Sequence, residues 1–257
     1  MPFVSPEKGN YKRIVSVVPS LTELLYSFGL DEEVVGITKF CVHPEDWFRT
    51  KQRIGGTKKL NIELIKSLRP DLVIANKEEN VKEQIEELAE HTDVYLTDIN
   101  NLEEAIEAIT NIGILVGKEG EATKIAEIIN MEFLELRPAR FLNPHRSCYL
   151  IWREPYMTIG GDTFINDMMS RCGLNNIFED STRYPEVSVQ EIKEAGCELV
   201  LLSSEPYPFK EKHITELQQV LFNTKIVLVD GEMFSWYGSR LTKAPRYFKE
   251  LLKSIEH

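Results

Sequence analysis

Cys41 and His43 stand two residues apart, and a thiolate beside an imidazole is the donor pair that soft divalent metals prefer. No third or fourth ligand follows at a recognised spacing, and a buried thiol next to a turn histidine before Pro44 accounts for the pair equally well. A larger group suggests recognition rather than reaction: Lys77, Glu78, Trp152, Arg153, Tyr184, Ser204, Glu205, Trp236, Tyr237 and Arg240. Aromatic rings offer flat contact area at low entropic cost, while arginine, glutamate and serine fix the orientation of a bound molecule. Core packing between lobes is the competing use of Trp152 and Trp236, and helix capping that of Glu78 and Glu205.

Signatures of catalysis are absent from the chain. There is no G-x-G-x-x-G, P-loop, H-E-x-x-H or G-x-S-x-G pattern. The glycine pairs at 55–56 and 160–161 could present backbone N–H groups to an anion or simply make turns. Ser20, His43 and the glutamates are the only conceivable players in an enzyme, with no base and orienting group to complete a set. The chain is expected not to be an enzyme and to need no cofactor.

These residues fall where apolar runs end. Residues 13–18, 33–38, 72–75, 94–96, 148–152 and 226–229 read as strands, and 21–28, 62–68, 81–90 and 102–116 as helices. Asn61 is placed to cap the helix that follows it, and Asp162 to cap one reaching Arg171. Residues 213–221 and 244–255 complete the helices of the second half. Strand alternating with helix implies a mostly parallel sheet covered on both faces, and ligands of such sheets bind outside the carboxyl ends of the strands. Residues 119–136 carry helical apolar spacing up to Arg137-Pro138, and this long helix reads as the connection between two lobes. The expected architecture is α/β: a lobe at 1–116, a backbone helix at 117–138 and a second lobe at 139–257, both lobes Rossmann-like.

The two halves also repeat each other. IELIKSLRPDLVIANKEE at 62–79 and VQEIKEAGCELVLLSSEP at 189–206 share Ile65/Ile192, Lys66/Lys193, Leu72/Leu199, Val73/Val200 and Glu78/Glu205 at one constant offset. One copy per half predicts two similar lobes with a ligand cleft between them.

With 257 residues, 42% of them hydrophobic and 28% charged, the composition is that of a globular protein able to bury a core in each half. A formal net charge of -11 argues against nucleic acid and anionic membrane as partners. No apolar leader is visible, no run reaches the ~20 apolar residues of a membrane span, and Cys41, Cys148, Cys172 and Cys197 show no C-x-x-C pairing. This pattern predicts a cytoplasmic monomer with free thiols, or a periplasmic or membrane-associated one if a leader had been removed.

Four segments carry a resemblance: RIVSVVPSLTELLYSFGL at 13–30, IGGTKKLNIELIKSLRPDLVIA at 54–75, GGDTFINDMMSRCGLNNIF at 160–178 and YPEVSVQEIK at 184–193. Together the chain resembles the helical-backbone (class III) substrate-binding proteins of ABC importers for metals, siderophores, haem and cobalamin, nearest in pattern to the cobalamin binders. The resemblance implies two α/β lobes on one rigid helix and a bulky metal chelate in the cleft, a corrinoid first and an iron-siderophore or haem next. Of two cleft tryptophans in the cobalamin binders, one corresponds to Tyr184 and the other to Asn76, which is not aromatic. Glu232 and Arg240 match an acid–arginine pair of the family's C-terminal cleft loop. The glutamates that meet an ABC permease correspond to Lys82 and Gln190, with Glu83 and Glu191 one residue along. The altered docking positions and the missing leader together imply a relative kept in the cytoplasm. A bare metal-ion receptor using Cys41, His43 and cleft carboxylates is the alternative reading.

Overall fold

The computed structural model describes residues 3–136 and 144–256. Two compact units form. One runs to Ile99 and takes in Glu103–Ile129 and Trp236–Thr242; the other comprises Asn100–Leu102, Asn130–Ser235 and the chain from Lys243 onward.

The first unit is built on β1 (Ile14–Ser16), α1 (Pro19–Ser27), β2 (Val34–Ile37), α2 (Glu45–Thr50), β3 (Gln52–Arg53), β4 (Gly55–Gly56), β5 (Lys59–Leu60), α3 (Ile62–Ser67), β6 (Leu72–Asn76), α4 (Lys82–Ala89), β7 (Asp93–Thr97) and most of α5 (Leu102–Leu115). Five strands lie parallel in the order β3-β2-β1-β6-β7, and β4 and β5 pair antiparallel as a separate hairpin. Every residue of β1 and β6 is buried, as strands covered on both faces require. The chain steps outward from β1 to β2 and β3, then crosses to the other side of β1 for β6. That reversal opens a crevice between the loops that leave β1 and β6.

The chain passes from the first unit to the second within α6 (Glu119–Leu136), between Ile129 and Asn130. The helix has the extent its apolar spacing predicts, and its expected end at Arg137-Pro138 lies outside the described residues. The second unit then adds β8 (His145–Leu150), α7 (Phe164–Arg171), β9 (Leu174–Asn176), α8 (Val189–Glu194), β10 (Leu199–Ser203), α9 (Glu211–Gln218), β11 (Lys225–Val229), α10 (Gly231–Ser235) and α11 (Ala244–Glu256). Its four strands are parallel in the order β11-β10-β8-β9, so the reversal here lies between β8 and β10. Cys148, Leu150, Ile192, Val200 and Leu202 form the centre of its core. The α/β class and the parallel sheets expected from the strand–helix alternation are those observed.

Gly29 and Gly173 end α1 and α7 with φ of 73° and 75°, a left-handed turn that a side chain disfavours, which explains their matching places in the two halves. Other expectations need correction. Thr163, not Asp162, caps α7: its hydroxyl accepts the Asn166 N–H, while the Asp162 carboxylate takes the Arg183 N–H. The strand expected at 148–152 begins at His145 and stops at Leu150, leaving Trp152 in an isolated bridge to Met157. The helix expected from His213 begins at Glu211. The elements α2, β9, α10 and the β4–β5 hairpin are short and were not expected from periodicity. Among the described residues no helix is long and apolar enough to cross a membrane.

Candidate functional site

In the first unit the crevice between β1 and β6 is closed by one side chain. Asn80 accepts the Asn76 N–H at 2.9 Å and donates to the carbonyls of Val17 and Thr57, each at 3.2 Å. Asn76 in turn accepts the N–H groups of Glu78 and Glu79 and donates to Thr97. The loop carrying Lys77 and Glu78 is therefore held to the sheet by amide side chains. Lys77 lies at the surface in an ion pair with Asp98 at 2.6 Å, and the Glu78 carbonyl accepts from Lys58.

The segment Trp236–Thr242, which includes a short 3-10 turn at Ser239–Thr242, packs on this same unit. Arg240 donates from Nε and Nη2 to the two carboxylate oxygens of Glu23 at 2.9 and 3.0 Å, with side chains only 9% and 13% exposed. The guanidinium lies 4.5 Å from the Trp236 ring centre, and the His43 ring meets Trp236 edge-on at 5.8 Å. Tyr237 donates to Glu79 at 2.9 Å. Of the residues expected at the site, His43, Trp236, Tyr237 and Arg240 thus form one cluster. Glu23 and Glu79 belong to it as well; Glu23 gave no signal in sequence beyond a charge on an apolar helix.

Cys41 is near this cluster in sequence but not in chemistry. Its sulfur is buried between the hydroxyls of Thr22 at 3.2 Å and Thr38 at 3.1 Å, and burial pushes the thiol up to about 11. It is therefore a protonated core thiol near neutral pH. Among the described residues no three His, Cys, Asp or Glu side chains come together to hold a metal ion.

In the second unit the loops after β8 and β10 meet through rings. Trp152, 41% exposed, contacts Tyr207 edge-on at 5.7 Å. Tyr207 then packs on Phe209 at 4.8 Å and on buried His213 at 5.5 Å. His213 accepts the Lys210 N–H at Nδ1, which leaves the proton on Nε2, 3.3 Å from the Tyr207 hydroxyl. Desolvation, then the nearby Lys212 charge, holds His213 below its usual range. Arg153 pairs with Glu154 at 2.7 Å and Glu216 at 3.0 Å.

Deeper in the same crevice, Tyr149 donates to Ser203 at 3.1 Å. Glu205 accepts from Ser235 at 2.6 Å, and Ser204 accepts the Gly231 N–H. A Cβ at Gly231 would lie 2.4 Å from the Ser203 hydroxyl, so any larger residue there would displace the Ser203 and Glu205 side chains. Trp152, Arg153, Ser204 and Glu205 thus share one edge of the sheet. Tyr184 is half-buried on the segment before α8.

The residues expected to meet a permease are at helix surfaces. Glu83 is exposed on α4, where neighbouring Lys82 pairs with Glu86. Glu191 completes a capping box with Ser188, whose N–H and hydroxyl hold its carboxyl below the ordinary range. Gln190 bonds Glu194. A separate open pocket of about 510 Å³ is lined by Asn100, Asn101, Asp162, Asn166, Asp167 and Arg183, among others. Asp167 there ties the Leu102 N–H and Arg171, both at 2.8 Å.

A family model described as periplasmic binding protein matches residues 14–226. The vitamin B12-binding protein of Pectobacterium atrosepticum is 24% identical over 254 residues, covering 95% of this chain and 90% of its own. That of Yersinia pseudotuberculosis is 25% identical over 247 residues, covering 95% and 87%. Among solved structures, the periplasmic vitamin B12 binding protein BtuF of Vibrio cholerae superposes with a TM-score of 0.80 at 22% identity, covering 96% of this chain and 98% of its own. The periplasmic heme-binding protein RhuT from Roseiflexus gives 0.80 at 21%, covering 93% and 98%.

The cytoplasmic location expected from the sequence is overturned by this match, because the family is one of periplasmic binding proteins. The cysteine argument behind that expectation fails on physical grounds too. All four thiols are buried, and burial raises the pKa of each, which disfavours the thiolate that oxidation requires in any compartment.

Proposed function

We propose, from the premise that this chain belongs to the periplasmic binding protein family, that it captures a bulky metal chelate for an ABC importer, a corrinoid before haem or an iron-siderophore. The observation carrying this reading is the gathering of rings and charged groups, in the second unit where the loops leave β8 and β10 at its sheet's reversal point and in the first where Trp236 meets Arg240 and His43. Such loops suit a large, partly apolar ligand with a polar rim. Preference for a corrinoid rests on the relatives named vitamin B12-binding protein, which align along nearly the whole chain.

In the second unit the residues proposed to bind ligand are Trp152 and Tyr184 through their rings and Arg153, Ser204 and Glu205 through their polar groups. In the first unit they are Lys77, Glu78, His43, Trp236, Tyr237 and Arg240. Glu83 and Glu191 are the groups proposed to meet a permease.

Titrating the protein with cyanocobalamin, dicyanocobinamide and haemin at micromolar concentration tests the reading. Tryptophan quenching and a raised thermal midpoint with a corrinoid are expected. No change with any of the three overturns the chelate reading, and a response to haemin alone overturns the corrinoid preference.

A further inference from the structure

Glu23 sits in the middle of α1, in a stretch whose neighbours Leu21, Leu24 and Leu25 are core residues. A carboxylate in that setting is costly unless it is paired and hydrogen-bonded. Its partner, Arg240, comes from 217 residues further along the chain. The two meet through two near-parallel bonds, the geometry in which a guanidinium holds a carboxylate most firmly.

The bonds fasten a strap. Residues Trp236–Thr242 lie with the first unit although the chain before and after them, to Ser235 and from Lys243, lies with the second. Three further contacts hold the strap down. Tyr237 reaches Glu79, Trp236 packs between Arg240 and His43, and Gly238 approaches the Ser20 carbonyl so closely that a Cβ would stand 2.7 Å away. The Arg240 contact combines full charge, two bonds and burial.

We infer that Glu23 is a positioning residue for ligand capture, latching the strap so that Trp236, Tyr237 and His43 are presented in one fixed arrangement. The latch acts through Arg240 and the strap, with no contact between Glu23 and ligand required. Removing either partner takes from the other a two-bond, charge-assisted contact in a largely desolvated setting, whereas exchanging the two keeps the pair. The effect on capture rests on the chelate reading above; the latch itself does not.

The tryptophans make the latch visible. Trp47 is 1% exposed and Trp236 6%, against 41% for Trp152. In a Trp152→Phe background the fluorescence should therefore resist acrylamide. Adding Glu23→Ala should make one tryptophan quenchable while far-UV circular dichroism and a cooperative unfolding transition persist. In the chain with Trp152 intact, Glu23→Ala should weaken cyanocobalamin or haemin binding by about tenfold or more. The exchange Glu23→Arg with Arg240→Glu should restore shielding and at least part of the affinity, even if a single variant folds poorly.

Unchanged shielding in Glu23→Ala overturns the latch. Increased quenching with unchanged affinity overturns the positioning role and leaves a stability contact. If neither probe binds the parent protein, the ligand reading fails, and the quenching comparison still decides whether the latch exists.

Discussion

The Asn80 side chain donates to the Val17 carbonyl at 3.2 Å, joining the loops that leave β6 and β1 across the first unit's reversal point. The same amide bonds Asn76 and Thr57, so one buried side chain satisfies three backbone groups. Asn80→Ala would strand them, at a cost of about 2–3 kcal/mol. Urea unfolding should show a lower midpoint with an unchanged slope, since the surface exposed on unfolding is nearly the same. A midpoint within error of the parent's would contradict the bridging role.

Much of this architecture could be read from the chain because the strands are short apolar runs and the helices carry clear spacing. The extent of α6 and the Asn61 cap follow from local rules and are observed. Local rules failed where two residues compete for one role. Asp162 and Thr163 are both good caps, and the choice falls to Thr163 because Asp162 is drawn to the backbone of Arg183, 21 residues on. The strap was invisible for the same reason on a larger scale: nothing near Glu23 or Arg240 announces a partner so distant. Trp236 and Tyr237 stand out in the sequence only as aromatics of a decorated loop, and their buried packing on the first unit depends on tertiary contacts.

His213 gives the second unit an acid-sensitive joint. Its Nδ1 accepts the Lys210 N–H, so protonation would face a donor with a donor. The charges around it are Lys210, Lys212, Arg153 and Glu216, three of four positive. With the folded pKa below the unfolded value of about 6.5, the unfolded chain binds the proton more readily. The stability His213 contributes is thus complete above about pH 6.5 and declines as pH falls toward its folded pKa. Thermal midpoints of parent and His213→Gln should separate less at pH 5 than at pH 7.5. A constant separation would rule out the joint.

Thiol accessibility offers a third check. Burial pushes Cys41 and Cys197 up to about 11, and raises Cys148 and Cys172 as well. Thiolate is the reactive form, so Ellman's reagent at pH 8 should leave the native protein essentially unlabelled. In guanidinium all four cysteines should react. Rapid labelling of a native thiol would contradict its burial and reopen a metal role for Cys41.

Trp152 is the most exposed of the tryptophans and rests on Tyr207 by a ring edge, leaving ring surface toward solvent. An exposed aromatic that stabilises the fold little is a poor investment for folding and a good one for stacking on a planar ligand. Trp152→Ala should therefore lower stability by less than about 1 kcal/mol. It should weaken corrinoid or haem binding by about tenfold, near 1.4 kcal/mol. Trp152→Phe should recover most of the affinity, because a phenyl ring keeps the face while losing some area. Isothermal titration beside urea unfolding separates the two effects. Equal affinity in Trp152→Ala and parent would remove this residue from the binding surface.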